Sequence, residues 1–332
     1  NTGSAVSSAY QQGAKYANRE FIQIHPTAIP GYDKLRLMSE SARGEGGRIW
    51  VPRQKNDTRD PREIPENERW YFLEERHPRF GNLVPRDIAA QEIYEICIND
   101  GYGVGGGNMV YLDLTHIPRE ELDRKLAGIM EIYEKFQGED PRDVPMKIFP
   151  AVHYSMGGLW VDYESTADGL LDRDSPRNHM TNIPGLYAAG ECEYQYHGAN
   201  RLGANALLSC LFAGTVTGPA AIQFAKSMKN SAADEPSRIY EEEETKWRER
   251  FDAIRAMEGT VNPFDLHHDL GELMIRTCTI VRNNEDLAQA VEALNGLSER
   301  WKECNSLDIS RARNQSVVFI NQLWNMIELA KV

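Results

Sequence analysis

Residues 202–225 carry no charged side chain, and Arg201 stands immediately before that run. Small residues stud it at Gly203, Ala204, Ala206, Ala213, Gly214 and Gly218, which lets a neighbouring backbone or a ligand approach closely. The run is long enough to cross a bilayer, but Gly214, Gly218 and Pro219 interrupt it and it holds several polar side chains. It is therefore expected to be a buried helix of a soluble domain, ending near Pro219. Just upstream, residues 186–189 read as a short apolar strand closed by Gly190 and Glu191, followed by a polar loop with His197, Asn200 and Arg201. A strand, a glycine turn and an apolar helix suit a nucleotide, because the N–H groups at the helix start face an anionic or electron-rich group. A buried helix that merely packs satisfies the same spacing. Arg201 tips the balance: a cation heading an uncharged run needs a partner, and a ligand carboxylate is a natural one.

A chain of 332 residues can bury two or more cores, so several domains are expected. Its net charge of −13 argues against nucleic acid as a partner and fits poorly with a basic membrane-binding surface. The five cysteines (Cys97, Cys192, Cys210, Cys278, Cys304) are scattered without a CxxC pair. They read as reduced cytoplasmic thiols rather than a disulfide framework or a zinc site. His267 and His268 would point about 100° apart on a helix, and no metal site is expected.

Along the chain, residues 4–16 place Val6, Ala9, Tyr10 and Ala14 at helical spacing. Residues 21–25 alternate as a strand that ends with His25 at Pro26, and residues 35–38 suggest a second short strand. Residues 52–68 are charged, proline-containing and nearly free of aliphatics, which predicts a solvated excursion or partly disordered loop. Residues 86–99 and 120–136 read as helices, the first burying Ile88, Ala89, Ile93, Ile96 and Cys97, the second Leu122, Leu126, Ile129 and Tyr133. The glycine-rich stretch 101–107 leads into strand-like sequence and reads as a tight turn, not a phosphate cradle. Residues 146–154 form a strand carrying His153. Beyond a polar linker at 227–235, helices are expected near Pro236, at the Asn262 cap, at Asn284 and near Ser310. Their seams are Leu287, Val291 and Leu294, then Val317, Ile320, Trp324 and Ile327.

The stretch His197-Gly-Ala-Asn-Arg-Leu-Gly-Ala-Asn-Ala-Leu207, preceded by Gly190-Glu191, closely resembles the flavin-binding C-terminal motif of succinate dehydrogenase and fumarate reductase flavoprotein subunits. The resemblance runs from residue 1 to about residue 225 and is weaker beyond. Gly46-Gly-Arg-Ile-Trp and Trp70-Tyr-Phe-Leu-Glu-Glu are most similar to the Gram-positive, menaquinone-linked branch. It implies FAD as cofactor, contacted by Gly190, Glu191 and the helix start Asn205, Ala206 and Leu207, and a substrate carboxylate on Arg201. Ala206 stands where family members usually have serine, so a hydroxyl contact from that position is missing. His25 in His-Pro-Thr, Ser39 in Ser-Glu-x-x-Arg-Gly-Glu-Gly-Gly, and His153 in His-Tyr-x-Met-Gly-Gly are similar to the rest of the family's dicarboxylate clamp. The resemblance assigns His25 and Ser39 to one carboxylate, and His153 and Arg201 to the other. Ser39 replaces the usual threonine and keeps the hydroxyl. Arg86, in Asn-Leu-Val-Pro-Arg-Asp-Ile-Ala, matches the family's catalytic arginine, and Glu40 and Arg43 match its proton relay. By itself Arg86 reads as a helix-start arginine paired with Asp87 or another acid, since a guanidinium is ordinarily locked in its protonated form.

The implied fold class is α/β: a partial FAD-binding Rossmann-like domain, an α+β capping domain and a C-terminal helical bundle domain. Residues 1–20 would end the first half of the FAD-binding domain, 21–152 form the cap, 153–225 the C-terminal half, and 226–332 the helical domain. The opening reads as mid-domain sequence and no GxGxxG follows a strand. An internal fragment is therefore expected, with the glycine fingerprint upstream and an arginine-rich motif beyond Val332. The implied activity is oxidation of succinate to fumarate with FAD as hydride acceptor, or the reverse. The implied partners are an iron–sulfur subunit and a membrane-anchor cytochrome b subunit, with the protein peripheral on the cytoplasmic side of the membrane. L-aspartate oxidase shares the carboxylate motifs. A non-catalytic binding or assembly module is the reading from another class.

Overall fold

Eight strands run through the described residues: β1 (Tyr16–Ala17), β2 (Ile22–Ile29), β3 (Arg36–Leu37), β4 (Arg48–Pro52), β5 (Arg69–Trp70), β6 (Val110–Asp113), β7 (Met146–Ser155) and β8 (Gly158–Leu159). The computed structural model describes residues 3–29, 36–105, 107–203 and 205–332. The chain divides into one unit of Gln23–His153 and a second of Asn1–Ile22 with Tyr154–Val332.

The Gln23–His153 unit is built on a six-stranded sheet in the order β3-β2-β7-β6-β4-β5. The central strands β4 and β6 are near-continuously apolar and buried, as strands covered on both faces must be. They pair antiparallel with Trp50 opposite Tyr111, and the two rings lie 4.6 Å apart. The buried Trp50 indole N–H donates to Asp113 at 3.1 Å, so its polar handle is satisfied. Helices Phe72–Arg76, Arg86–Tyr94, Arg119–Lys125 and Ala127–Gln137 supply Phe72, Leu73, Ile93, Leu122, Met130 and Tyr133 to the same core.

Several expectations change here. The helix expected over 120–136 is two helices, broken at Leu126 where φ is −127°. Residues 52–68 are ordered, with 3₁₀ turns at Pro61–Glu63 and Glu66–Glu68 and a buried Ile64. Their charges pair with one another: Arg59 reaches Asp57 and Glu68, and Arg62 reaches Asp60, each at 2.6 Å. Strand β2 does not stop at Pro26. It pairs with β3 beyond the proline, at Ala28 opposite Leu37 and Ile29 opposite Arg36. Residue 35, expected in the second strand, lies outside the described residues.

In the other unit the first helix, Ser4–Gln11, is shorter than expected because Gly13, at φ +97°, turns the chain into β1. β1 pairs antiparallel with β8. The strand expected at 186–189 reduces to a single antiparallel bridge between Met180 and Tyr187. The long helix Asn205–Ser227 continues through Pro219 and is not a buried helix. Its packed face is made of Ser209, Ala213, Val216 and Ala220, while Leu207, Leu208 and Leu211 face outward, 63–76% exposed. Small residues make the contact, which leaves the large ones outside. Among the described residues this is the one helix long and apolar enough to cross a membrane by length and composition.

Helices Ser237–Arg255, Pro263–Met274, Asn284–Lys302 and Gln315–Ala330 enclose a core of Ile254, Leu266, Leu270, Leu294, Ile320, Leu323 and Ile327. Asn262, Asn283 and Asn314 cap the last three through their side chains. Asn314, not Ser310, therefore sets the final start. Val291 is exposed, so the seam on Asn284–Lys302 runs through Ala290, Leu294 and Leu297. The helix Ser4–Gln11 docks on Gln315–Ala330, with the Ser7 hydroxyl donating to Asn325 O and Gln11 Nε2 to Asn325 Oδ1.

Candidate functional site

In the Gln23–His153 unit, Glu40 is the hub. It precedes the short helix Ser41–Gly44. Arg43, one turn on, donates from Nε to Glu40 Oε1 at 2.7 Å, with its Nη2 on the same oxygen. Arg86, the first residue of helix Arg86–Tyr94, donates from Nε to Glu40 Oε2 at 2.8 Å. Its partner is therefore Glu40 rather than its sequence neighbour Asp87. Arg43 is buried and also donates to the carbonyls of Asn82 and Val84, at 2.9 and 3.2 Å, which ties the turn before Arg86 to the Glu40 helix.

His25, buried in β2, stands beside this pair of arginines. The Thr27 backbone N–H donates to His25 Nδ1 at 3.2 Å, so in the neutral ring the proton sits on Nε2. That nitrogen lies 3.9 Å from Glu40 Oε2. The His25 ring also meets His153 of β7 edge to face, with centroids 5.3 Å apart. Ser39 is exposed, and its hydroxyl is engaged locally, with Ser41 Oγ at 3.1 Å and accepting from Ser41 N at 3.2 Å. This unit thus brings together His25, Glu40, Arg43 and Arg86, with His153 against His25.

The remaining candidates lie on the other unit. Arg201 is buried, with its guanidinium over the Tyr154 ring at 4.6 Å. The same ring meets His197 edge to face at 5.5 Å. Ser209 spends its hydroxyl proton on Ala206 O at 2.8 Å, so it accepts from His197 Nε2 at 3.2 Å. Burial, and next the nearby Arg201 charge, pull His197 below the ordinary histidine pKa. Gly190, at φ +83°, starts a 3₁₀ turn so close to the long helix that a Cβ there would meet Cys210 Sγ at 2.9 Å. Glu191 accepts the Ser155 backbone N–H at 3.1 Å.

These residues fit an electron-rich, hydroxyl-bearing cofactor. The helix Asn205–Ser227 has no acidic side chain in its first turn, where backbone N–H groups lack intrahelical partners. Asn205 and Ala206 at its head are only half-buried. Leu207 is exposed. Glu191 is an exposed carboxylate able to accept from hydroxyls. Sequence reasoning missed Tyr154 as the seat of Arg201, and it missed Asn82 and Val84 as supports of Arg43. Only the adjacency of Tyr154 to His153 hinted at the first, and nothing in the sequence indicated the others.

Fold and site together define a flavin-binding protein. The chain belongs to the FAD binding domain family, which matches residues 1–207, and residues 267–332 match the fumarate reductase flavoprotein C-terminal family. FAD is accordingly its cofactor. It is 53% identical over 332 residues to the succinate dehydrogenase flavoprotein subunit of Bacillus subtilis, covering 100% of this chain and 52% of that protein. It is 30% identical to the fumarate reductase flavoprotein subunit of Haemophilus influenzae, covering 99% of this chain and 52% of the relative. An E. coli quinol fumarate reductase structure superposes with a TM-score of 0.81 at 28% identity, covering 99% of this chain and 53% of that one. The chain thus spans about half the length of the curated relatives it matches.

Proposed function

We propose that this chain handles the substrate in the flavoprotein subunit of a succinate:quinone oxidoreductase, oxidising succinate to fumarate. The observation that carries the reading is the Glu40 carboxylate held between Arg43 and Arg86 with His25 beside it. The 53% identity to a succinate dehydrogenase flavoprotein subunit favours this direction over fumarate reduction. Residues 1–20 and 153–225 belong in this reading to the FAD-binding domain, 21–152 to a cap and 226–332 to a helical domain. An iron–sulfur subunit and a membrane-anchor cytochrome b subunit complete the complex, and this flavoprotein lies peripherally on the cytoplasmic side of the membrane.

A dicarboxylate needs charge-assisted donors at both ends, each worth roughly 1.5–3 kcal/mol. His25 and Ser39 serve one carboxylate, His153 and Arg201 the other. FAD, when bound, supplies the two-electron acceptor and is contacted by Gly190, Glu191, Asn205, Ala206 and Leu207. The chain's own work is the proton. Arg86 takes it as a neutral guanidine at a terminal nitrogen, and the guanidinium so formed passes its Nε proton to the Glu40 carboxylate, whose Oε2 is 2.8 Å away. Only the neutral form has a lone pair for the incoming proton, and release to Glu40 regenerates that form, since a guanidinium does not give up its proton unaided. Arg43 holds the opposite oxygen of Glu40 and so orients the acceptor.

The test is turnover of succinate against aspartate by the full-length flavoprotein. Succinate oxidation without aspartate oxidation is expected. The reverse preference would assign the chain to an amino-acid oxidase, and turnover of neither by FAD-replete protein would make it a binding module.

A further inference from the structure

Within the unit containing Arg201, His179 belongs to no motif, yet it is buried and bonded through both ring nitrogens. It is 3% exposed and sits at φ +65°, a left-handed conformation uncommon outside glycine, asparagine, aspartate and histidine. Both ring nitrogens are engaged. Nδ1 lies 3.1 Å from Ala188 O, which can only accept, so Nδ1 carries the proton. Nε2 must then accept from the Tyr196 hydroxyl, at 2.5 Å. Burial holds His179 below its ordinary pKa and raises the Tyr196 phenol, so both stay neutral and the donor–acceptor sense is kept.

The two anchors of this imidazole matter. Ala188 lies two residues before Gly190, which opens the 3₁₀ turn. Tyr196 immediately precedes His197, and its ring packs edge-on against Phe212 of the long helix at 5.9 Å. From Tyr196 the chain runs through Gly198, at φ +55°, to Arg201. The far end of that loop is held by Tyr154, beneath both His197 and Arg201.

We propose that His179 and Tyr196 form a positioning pair that fixes the 196–201 loop and thereby sets the direction in which Arg201 presents its guanidinium to a substrate carboxylate. This rests on the reading of Arg201 as a carboxylate ligand. The planar fork of a guanidinium grips a carboxylate with two bonds only when correctly aimed, so a loosened loop weakens binding while the reacting centre is left alone.

The experiment uses the full-length, FAD-containing protein at wild-type flavin content. Tyr196→Phe keeps the ring and its contact with Phe212 and removes only the hydroxyl. His179→Asn keeps a residue that tolerates the left-handed region and shortens the side chain out of reach of the Tyr196 hydroxyl. Malonate, a dicarboxylate that does not react, is titrated by calorimetry, and succinate KM and kcat are measured alongside. Each variant is expected to weaken malonate about tenfold and raise KM by a similar factor, with kcat within twofold. In an Arg201→Ala background the same changes are expected to shift malonate affinity less than twofold. If Arg201→Ala weakens malonate while Tyr196→Phe and His179→Asn stay within twofold of wild type, the positioning role falls and the carboxylate reading stands. Equal losses with and without Arg201 also overturn it, because the pair then acts on the fold at large. If Arg201→Ala leaves malonate binding unchanged, both readings fall together.

Discussion

Glu40 and Glu193 are two carboxyl groups handled in opposite ways. Glu40 accepts from two arginines, one on each oxygen, and is partly exposed. Glu193 is 4% exposed, accepts the Gln195 backbone N–H at 2.5 Å, and has its other oxygen without a hydrogen-bond partner among the described residues. Burial pushes Glu193 up to about 7. The arginines divide along the same line. Arg43 and Arg86 are held by a carboxylate, Arg201 by an aromatic face. Arg86 is bonded to a carboxylate that can accept its proton, whereas the Arg201 guanidinium is oriented over an aromatic face. The first unit is thus built to move charge and the second to place it.

The sharpest way to break that contrast is Arg86→Lys. Lysine keeps the charge but has a single nitrogen, so the atom that takes the substrate proton can no longer differ from the one bonded to Glu40. General acid–base groups contribute about 10²–10⁴-fold, so kcat for succinate oxidation is expected to fall by about a thousandfold with malonate inhibition within threefold of wild type. A helix-start arginine in a merely structural ion pair would tolerate lysine at roughly 0–1 kcal/mol. Retention of both constants would show that role instead. Loss of both together would make Arg86 a substrate ligand.

Arg201→Ala tests the placing half. Removing the partner of a carboxylate from a desolvated site costs about 3 kcal/mol or more, which corresponds to about a hundredfold in succinate kcat/KM. A change smaller than fivefold would remove Arg201 from the site.

How far these roles could be read beforehand differs between the two units for a physical reason. Arg201 is visible because it heads an uncharged run, and helix starts such as Asn262-Pro263 announce themselves by local chemistry. The Glu40–Arg86 bond joins residues 46 apart, and only the motif resemblance connected them. The ordering of residues 52–68 comes from pairing among their charges, which composition cannot distinguish from solvation. Pro26 and Pro219 mislead because each normally ends an element. β2 runs on past the first to pair with β3, and the helix absorbs the second. The outward face of Asn205–Ser227 is equally hidden, since an apolar run states what could be buried but not which side is.

Glu193→Gln tests whether burial alone sets the second carboxyl. The ordinary value is 4.5 and the folded value about 7, so between those pH values the folded state binds more protons than the unfolded. Stability contributed by the protonated group is therefore fully present below about pH 4.5 and is lost as pH rises through about 7. At one unit per about 1.4 kcal/mol, the loss amounts to about 3 kcal/mol. Glutamine, which does not titrate, is expected to melt near wild type at pH 4.5 and well above it at pH 8. Parallel melting curves across that range would mean that Glu193 gains a cation as it ionises.

The smallest expected effect concerns the ring beneath Arg201. Tyr154→Leu keeps an apolar surface of comparable burial but removes the quadrupole that attracts the guanidinium, worth about 0.5–2 kcal/mol depending on desolvation. Malonate affinity is expected to fall about three- to tenfold, less than for Arg201→Ala, with kcat little changed. Tyr154→Phe keeps the face and is expected to restore binding to within twofold of wild type. The two substitutions separate the ring from the hydroxyl. If Phe is as poor as Leu, the phenolic oxygen matters and Arg201 is held by hydrogen bonding rather than by the aromatic face. If Leu binds malonate as well as wild type, the face contributes nothing measurable, and the contrast between a carboxylate-held and a ring-held arginine loses its energetic content.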